Sequence, residues 1–434
     1  MINYKKFKIK RMNPISDSFC AAKWMTADFW LETGTTSSCH LPPPHKFDIE
    51  AIQQNLNLIH NTDEKLAQKQ MMLNGKQPSG CSNCWNVENI NKDAMTERVH
   101  QSYILRHHNF SKFTLDVNHI PEKITVSFDS LCNFTCSYCD ATQSSSWATD
   151  LKINGPYKRI KGDDRNTYIR LGKKDKLTQE EYELVFDKFT QFIITNIKQI
   201  KSIRCLGGEP LVSRNFWKFL ETIKSVKDHN QIELIIVTNL SEIGNVKKLI
   251  ESTKSFKNII IEASTENIEQ RAEFLRKGLK WNIFQKNIDY LSANNIELRI
   301  LGTISGLALD GLVQFLEWLR KYKNIRLDSF ILRHPTFQAI QVLPNHLKVK
   351  YKKELSGWLL NNNEDMYKVS IHLEEKVKNL VTILKDECTI YNNVDINVLR
   401  TSNKEFYKQY AKRHQFEIDK IFSQPMAEWL LNED

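Results

Sequence analysis

The feature that most constrains the fold of this chain is a regular alternation of short apolar stretches and longer amphipathic ones between residues 124 and 332. We predict six strands, at residues 124–129, 203–206, 232–237, 259–263, 296–301 and 330–332. Helical patterns lie between them, at residues 178–197, 214–226, 267–293 in two pieces, and 309–322. Repeated βα units are typical of a parallel sheet. Since six units are too few for an eight-stranded barrel, we predict an α/β fold with a partial (β/α)6 barrel of the TIM type.

The composition and the predicted secondary structure of the chain change on either side of this core. The first hundred residues are rich in turns and contain Cys20, Cys39, Cys81 and Cys84. Beyond about residue 343 the sequence is mostly helical and charged, with the clearest helices at 371–385 and 404–422. We therefore predict a small cysteine module at 1–118 built on a β-hairpin, a barrel at 119–343, and a helical C-terminal extension at 344–434.

Composition excludes several classes of protein. With 41% hydrophobic residues, 14 Gly and 11 Pro among 434, the chain is neither collagen-like nor mostly disordered. No run approaches the roughly 18 apolar residues that span a bilayer, so we expect a soluble, cytoplasmic protein without a membrane partner. The net charge is +10, and residues 152–176 hold nine basic against three acidic residues. This stretch is either a solvated insertion or a surface that steers nucleic acid or substrate.

Nine cysteines are too few in a chain of this length for a disulfide scaffold, so their spacing matters more than their number. Cys132, Cys136 and Cys139 form a C-x3-C-x2-C set directly after the first predicted strand. Three thiolates leave one iron of a cubane cluster without a protein ligand, so that iron can bind a small molecule. Structural zinc normally requires four ligands in a closed site.

This segment, LCNFTCSYCD, resembles the signature of the radical S-adenosylmethionine (SAM) superfamily, in which an aromatic residue, here Tyr138, precedes the third cysteine. The resemblance implies a [4Fe–4S] cluster on Cys132, Cys136 and Cys139 that binds SAM. Reductive cleavage would then yield methionine and a 5′-deoxyadenosyl radical, which abstracts hydrogen from a substrate.

Later strand ends extend the resemblance to a set of expected SAM contacts. The turn Gly207-Gly208-Glu209-Pro210 resembles the superfamily's GGEP element, in which the backbone and the Glu receive the amino group of SAM. We attribute the glycines to a close approach of the ligand to the main chain. The other expected contacts are Asn239, Ser264 and Arg276. The usual Ser-x-Asp-Gly reads Ser264-Thr265-Glu266-Asn267, which departs from the pattern.

The N-terminal cysteines form a second pattern, C-x13-G-x4-C, from Cys20 through Gly34 to Cys39, followed by Cys81-x2-Cys84. An aromatic stretch that turns at Gly34 predicts a β-hairpin with both thiols at its base. The pattern resembles the SPASM and twitch auxiliary-cluster domains, and four cysteines imply one auxiliary [4Fe–4S] cluster of the twitch type.

Such modules usually follow the barrel. The segments FCAAKW, CHLPPPHK and CSNCW nevertheless resemble a family that carries the module at the N-terminus. A zinc site with His40, His45 or His60 as a substitute ligand is the alternative.

The resemblance implies an oxidation or a thioether or carbon–carbon bond formation on a peptide or small molecule. The auxiliary cluster would transfer electrons, and flavodoxin or ferredoxin would be the reductant.

Arg333 and His334, after the sixth strand, are candidates for binding substrate. Cys205 and Cys388 are predicted to be core residues, with hydrogen-atom donation as the alternative. RNA modification and a non-catalytic metal-binding nucleic-acid or regulatory module are alternative functions.

Overall fold

The computed structural model describes residues 4–162, 176–322, 325–361, 367–384 and 389–432. Its strands, in chain order, are β1 (Thr26–Trp30), β2 (Thr35–Ser37), β3 (His45–Lys46), β4 (Lys123–Ser127), β5 (Thr135–Cys136), β6 (Ser202–Leu206), β7 (Glu233–Thr238), β8 (Asn258–Ser264), β9 (Arg276–Lys277), β10 (Glu297–Ile304), β11 (Ile325–Ile331), β12 (Ile390–Tyr391) and β13 (Val394–Asp395). Cys388 and residues 163–175 of the basic stretch lie outside the described residues.

Nine of these strands form one sheet in the order β11-β10-β8-β7-β6-β4-β1-β2-β3. The strands β4, β6, β7, β8, β10 and β11 are parallel neighbours laid down in chain order, which confirms the α/β fold and the partial barrel. The sixth strand begins at Ile325, earlier than predicted. Its charged residues Arg326 and Asp328 hid the apolar pattern because they lie on the less buried face.

The helices of the barrel pack on one face of the sheet. Buried and half-buried residues alternate along β7 and β10, so one face lies beneath the helices and the other lines the interior. The helices between β5 and β11 are Ser145–Asn154, Gln179–Thr195, Arg214–Lys224, Ile243–Thr253, Glu269–Leu275, Trp281–Ala293 and Leu312–Arg320, of which the first packs on the cysteine loop. Helix Gln179–Thr195 begins with a capping box between Thr178 and Glu181.

The N-terminal segment contains the predicted hairpin, in which β1 and β2 are antiparallel and Gly34 adopts a left-handed φ of 60°. Its strand β1 also pairs in parallel with β4, so the barrel sheet continues across residue 118. A second, smaller core forms around Phe19, Trp24 and Trp85. The helices here are Tyr4–Phe7, Ala22–Met25, Ile49–Gln54, Asp63–Leu73, Ser82–Ile90 and Glu97–Ile104.

The C-terminal segment is largely helical, as predicted. Its helices are Asn345–Leu360, Tyr367–Ile383, Ile396–His414, Ile418–Ile421 and Gln424–Leu431. The helix expected at 404–422 begins earlier, at Ile396, and ends at His414 because Gln415 takes a left-handed φ of 58°. Within the described parts of the chain, no helix combines the length and the apolar character needed to cross a membrane.

Candidate functional site

The loop that carries Cys132, Cys136 and Cys139 follows β4, at the carboxyl end of the parallel strands. Part of the loop forms β5, which pairs antiparallel with β9 and sets Cys136 opposite Arg276. The Ser137 N–H donates to the carbonyl of Leu275 at 2.8 Å. All three cysteines are half-buried residues, and the loop that carries them lies at the mouth of the barrel.

Three side chains fix this loop, and two of them come from distant parts of the chain. Trp147 Nε1 donates to the carbonyl of Cys136 at 2.9 Å, and Gln338 Nε2 donates to that of Ser137 at 2.8 Å. The Tyr410 hydroxyl, from the C-terminal extension, donates to the carbonyl of Thr135 at 2.6 Å. The extension therefore completes the cysteine loop. No spacing in the sequence indicates these contacts.

Burial controls the chemistry of the three thiols. It raises the pKa of Cys132 and Cys139, and it raises the pKa of Cys136 to about 12 although the nearby Arg276 guanidinium opposes this. Thiolates here therefore require a bound cation to displace the protons. A set of three thiols on one loop fits a cubane cluster with one open iron better than a closed zinc site.

The Gly207-Gly208 turn packs directly on the cysteine loop. Gly208 N–H donates to the carbonyl of Asp129 at 3.0 Å, and Glu209 N–H donates to that of Leu131 at 2.7 Å. A Cβ at Gly208 would overlap the carbonyl group of Leu131, and one at Gly207 would lie 2.8 Å from the Asp129 oxygen. The close approach of two backbones is therefore sufficient to require both glycines. A close approach of a ligand to the same turn stays a prediction.

Glu209 and Asn239 connect this turn to the end of β7. The Glu209 carboxylate accepts hydrogen bonds from the Asn239 N–H at 2.6 Å and the Thr238 hydroxyl at 2.7 Å. Burial raises the pKa of Glu209 to about 7. The Asn239 amide donates to Asn133 Oδ1 of the cysteine loop at 2.8 Å. Both predicted residues therefore lie at the loop.

Arg276 and Tyr138 meet at a residue that the sequence pattern did not single out. Glu266 Oε2 accepts from Arg276 at 3.0 and 2.8 Å and from the Tyr138 hydroxyl at 2.9 Å. The Arg276 guanidinium lies 5.4 Å from the centre of the Tyr138 ring. Glu266 is fully buried, and none of the described residues forms a hydrogen bond to its Oε1. Ser264 lies at the end of β8, two residues before this cluster.

The unusual Ser264-Thr265-Glu266-Asn267 turn is stabilised by its own side chains. Thr265 Oγ1 donates to the Asn267 carbonyl at 2.9 Å, and the Asn267 amide donates to the Asp310 carbonyl at 2.8 Å. The departure from Ser-x-Asp-Gly could have identified Glu266, because it places a longer carboxylate where the usual pattern has Asp.

The four N-terminal cysteines line a single cavity. Cys20, Cys39, Cys81 and Cys84 surround it together with Lys23 and Arg98. Burial raises the pKa of Cys20 to about 12, and it raises the pKa values of Cys39 and Cys84. Four thiols around one cavity form a closed donor set that suits either an iron–sulfur cluster or zinc.

The histidines named as substitute ligands differ in position. His40 Nδ1 lies 3.9 Å from Cys39 Sγ, and Cys39, His40 and Glu97 bring one ligand atom each to within 4.8 Å of one another. His45 instead contacts Thr62, and the fully buried His60 contacts Lys65. Only His40 of the three thus stands beside the cavity. Cys205 is fully buried in the main core on β6.

Comparison with known proteins places this site in a class. Residues 126–319 match the Radical SAM superfamily model. The chain therefore contains a Radical SAM superfamily domain, which begins in β4 and includes the cysteine loop, the Gly207-Gly208 turn and Arg276. Membership of this superfamily implies a [4Fe–4S] cluster and SAM.

Two curated relatives are similar in sequence to part of this chain. The chain is 28% identical over 180 residues to the GTP 3′,8-cyclase of Staphylococcus epidermidis strain ATCC 35984. The aligned region covers 41% of this chain and 44% of that protein. The chain is 24% identical over 166 residues to the GTP 3′,8-cyclase of Campylobacter lari, which covers 38% of each. The chain thus spans less than half the length of these relatives.

Two solved structures were also matched. Native anSMEcpe with bound AdoMet is 14% identical, with a TM-score of 0.39 over 58% of this chain and 64% of that one. Streptococcus suis SuiB bound to S-adenosylmethionine is 11% identical, with a TM-score of 0.36 over 78% of this chain and 69% of that one.

Proposed function

We propose that this chain is a radical SAM enzyme that abstracts a hydrogen atom from its substrate and carries an auxiliary iron–sulfur cluster for electron transfer. The observation that carries the proposal is the three-thiol loop at the barrel mouth, within a domain of this superfamily. Membership alone does not identify the reaction, because the curated relatives share less than half their length with this chain.

Cys132, Cys136 and Cys139 would hold the [4Fe–4S] cluster. When bound, this cluster supplies the electron that cleaves SAM to methionine and a 5′-deoxyadenosyl radical. Arg276, held by Glu266 against Tyr138, offers a cation for the carboxylate of SAM. Glu209, with a pKa near 7, can hold an ammonium group at the turn beside the cysteine loop. Ser264, Asn239 and the Gly207-Gly208 backbone complete the proposed contacts.

Cys20, Cys39, Cys81 and Cys84 would hold the auxiliary cluster, in a twitch-like module at 1–118 that precedes a barrel at 119–343 and an extension at 344–434. The shared cavity supports a single centre held by all four thiols. We prefer electron transfer as its role, since a closed set of four thiolates leaves no iron open for substrate.

The substrate is a peptide or a small molecule, with Arg333 and His334 as candidate contacts. The names of the curated relatives make a purine nucleotide one of the small molecules to assay first. An acidic flavodoxin or a ferredoxin would supply electrons in the cytoplasm, where thiols stay reduced. For the alternative of RNA modification, affinity for RNA should fall steeply with salt.

Electron paramagnetic resonance of the anaerobically reconstituted, dithionite-reduced chain tests the proposal. We expect the spectrum to change when SAM is added, and this response to vanish in a triple Cys132→Ala, Cys136→Ala, Cys139→Ala variant. The matched control is Cys205→Ala, because Cys205 is fully buried on β6 and belongs to neither cysteine set. A wild-type spectrum unaffected by SAM would favour the non-catalytic alternative.

A further inference from the structure

Three lysines are buried in the segment that holds the four-cysteine cavity, and one of them lines it. Lys23 is 3% exposed and lines the cavity, and Lys65 and Lys69 are 0% exposed. Lys65, Lys69 and Met72 are the buried residues of helix Asp63–Leu73, and their spacing puts them on one helix face. Met72, near the end of this face, also lines the cavity. Lys65 and Lys69 lie outside the lining, but both are close enough to Lys23 to feel the repulsion of its charge.

The partners of these lysines are neutral. Lys65 Nζ donates to Thr36 Oγ1 at 2.8 Å and lies 3.2 Å from His60 Nδ1. Lys69 Nζ donates to Asn61 Oδ1 at 2.6 Å, and Lys23 Nζ donates to Gln68 Oε1. Within the parts of the chain that the structure describes, none of the three pairs with a carboxylate within 4.0 Å. Arg98, across the cavity, does pair with Glu88.

Such an arrangement is unusual because buried lysines normally have a negative partner. Burial and repulsion by neighbouring lysines lower the pKa of Lys69 to about 8 and hold the pKa of Lys65 well below its ordinary value. The carboxylates of Asp116 and Asp28, which form no ion pair with them, oppose this only in part. Three ammonium groups in this place would be stabilised by a negative charge within the cavity. Four thiolates around an iron–sulfur core supply this negative charge, because their summed negative charge exceeds the positive charge of the core.

We propose that Lys23, Lys65 and Lys69 are the counter-charge of the auxiliary centre held by Cys20, Cys39, Cys81 and Cys84, and that they favour its reduced state. This inference rests on the auxiliary cluster proposed above. One-electron reduction adds one negative charge to the centre, and nearby buried cations stabilise that charge. The centre then accepts an electron more readily than it would in neutral surroundings, which suits an electron acceptor.

A redox titration of the reconstituted full chain, followed by electron paramagnetic resonance, tests the inference. Titanium citrate is the reductant, and the auxiliary signal is identified as the one that SAM leaves unchanged. Lys23→Met should shift its midpoint potential to a more negative value, whereas Lys23→Arg, which keeps the charge, should restore the wild-type value. The matched control is Lys76→Met, because Lys76 is exposed to solvent beyond the end of the same helix.

Iron content and spin counting verify that each variant holds both centres. If Lys23→Met loses the auxiliary centre, Lys69→Gln is titrated in its place. An unchanged potential in a variant with both centres would overturn the inference and leave the proposed function intact. Zinc in the cavity would overturn the inference together with the auxiliary cluster. If the spectrum of the wild-type chain does not change when SAM is added, the proposed function itself is contradicted.

Discussion

Arg276 lies directly opposite Cys136 in a two-residue antiparallel ladder, and its guanidinium donates twice to Glu266 Oε2. A proposed cluster ligand and a proposed SAM ligand are therefore joined through one short stretch of backbone. Any movement of the loop at Cys136 also moves Arg276. Under the proposed function, the ladder would join a ligand of the cluster to the residue that binds the carboxylate of SAM.

Arg276→Lys should weaken SAM binding. Lysine keeps the charge beside Glu266 but loses the planar fork that can grip Glu266 and a second carboxylate together. Loss of one charge-assisted hydrogen bond, worth about 1.5–3 kcal/mol, corresponds to a rise in Kd of roughly tenfold or more. Equilibrium dialysis of SAM against the reconstituted protein measures this Kd. Arg320→Lys, at an exposed ion pair on the barrel surface, is the control. Equal affinities in the two variants would refute the role of Arg276.

Gly208→Ala should dislodge the cysteine loop. The new Cβ would overlap the Leu131 carbonyl group, which is backbone and cannot turn aside. We expect a lower iron content at the three-cysteine site and a loss of the SAM-dependent spectral change. Gly244→Ala is the matched control, because nothing lies within 4 Å of its Cβ and alanine favours a helix. Full iron content in Gly208→Ala would show that the loop tolerates displacement.

The sequence was sufficient to predict the barrel and the cysteine sets, because strand periodicity and ligand spacing are local signals. It was not sufficient to predict how the loop is held. Tyr410 and Thr135 are 275 residues apart, and only tertiary packing brings them together. The parallel pairing of β1 with β4 was missed for the same reason, since a hairpin gives no sign of which sheet edge it joins.

Glu122 should make the fold sensitive to acid. Its buried carboxylate accepts from Lys201 at 2.7 Å and His108 at 3.0 Å. Burial alone would raise the pKa of Glu122, but these hydrogen bonds outweigh it and hold the pKa below its ordinary 4.5. The stabilisation is therefore present above about pH 4.5 and is lost as the pH falls through the folded-state pKa.

Glu122→Gln should accordingly lower the melting temperature near pH 7, by an amount that corresponds to about 1–2 kcal/mol. Its difference from the wild type should shrink as the pH falls below 4.5. Circular dichroism on both proteins across this range measures the effect. A difference that stays constant with pH would mean that packing, and not the charge of Glu122, stabilises this junction.

A double Cys81→Ala, Cys84→Ala variant should lose one centre and keep the other. We expect about eight iron atoms per reconstituted wild-type chain and about four in the variant, because each cubane holds four. Iron and sulfide analysis alongside a zinc assay measures this, with Cys205→Ala as the control. About four irons and one zinc in the wild type would establish the zinc alternative, with Cys39, His40 and Glu97 as the ligands to examine next.

Cleavage of SAM is measured most directly by the amount of 5′-deoxyadenosine formed when the reconstituted chain is incubated anaerobically with SAM and dithionite. We expect 5′-deoxyadenosine and methionine to form in equal amounts. Neither should form when dithionite is omitted or when Cys136 is replaced by alanine. No 5′-deoxyadenosine from a wild-type chain that holds its full iron content would contradict the claim that this barrel cleaves SAM.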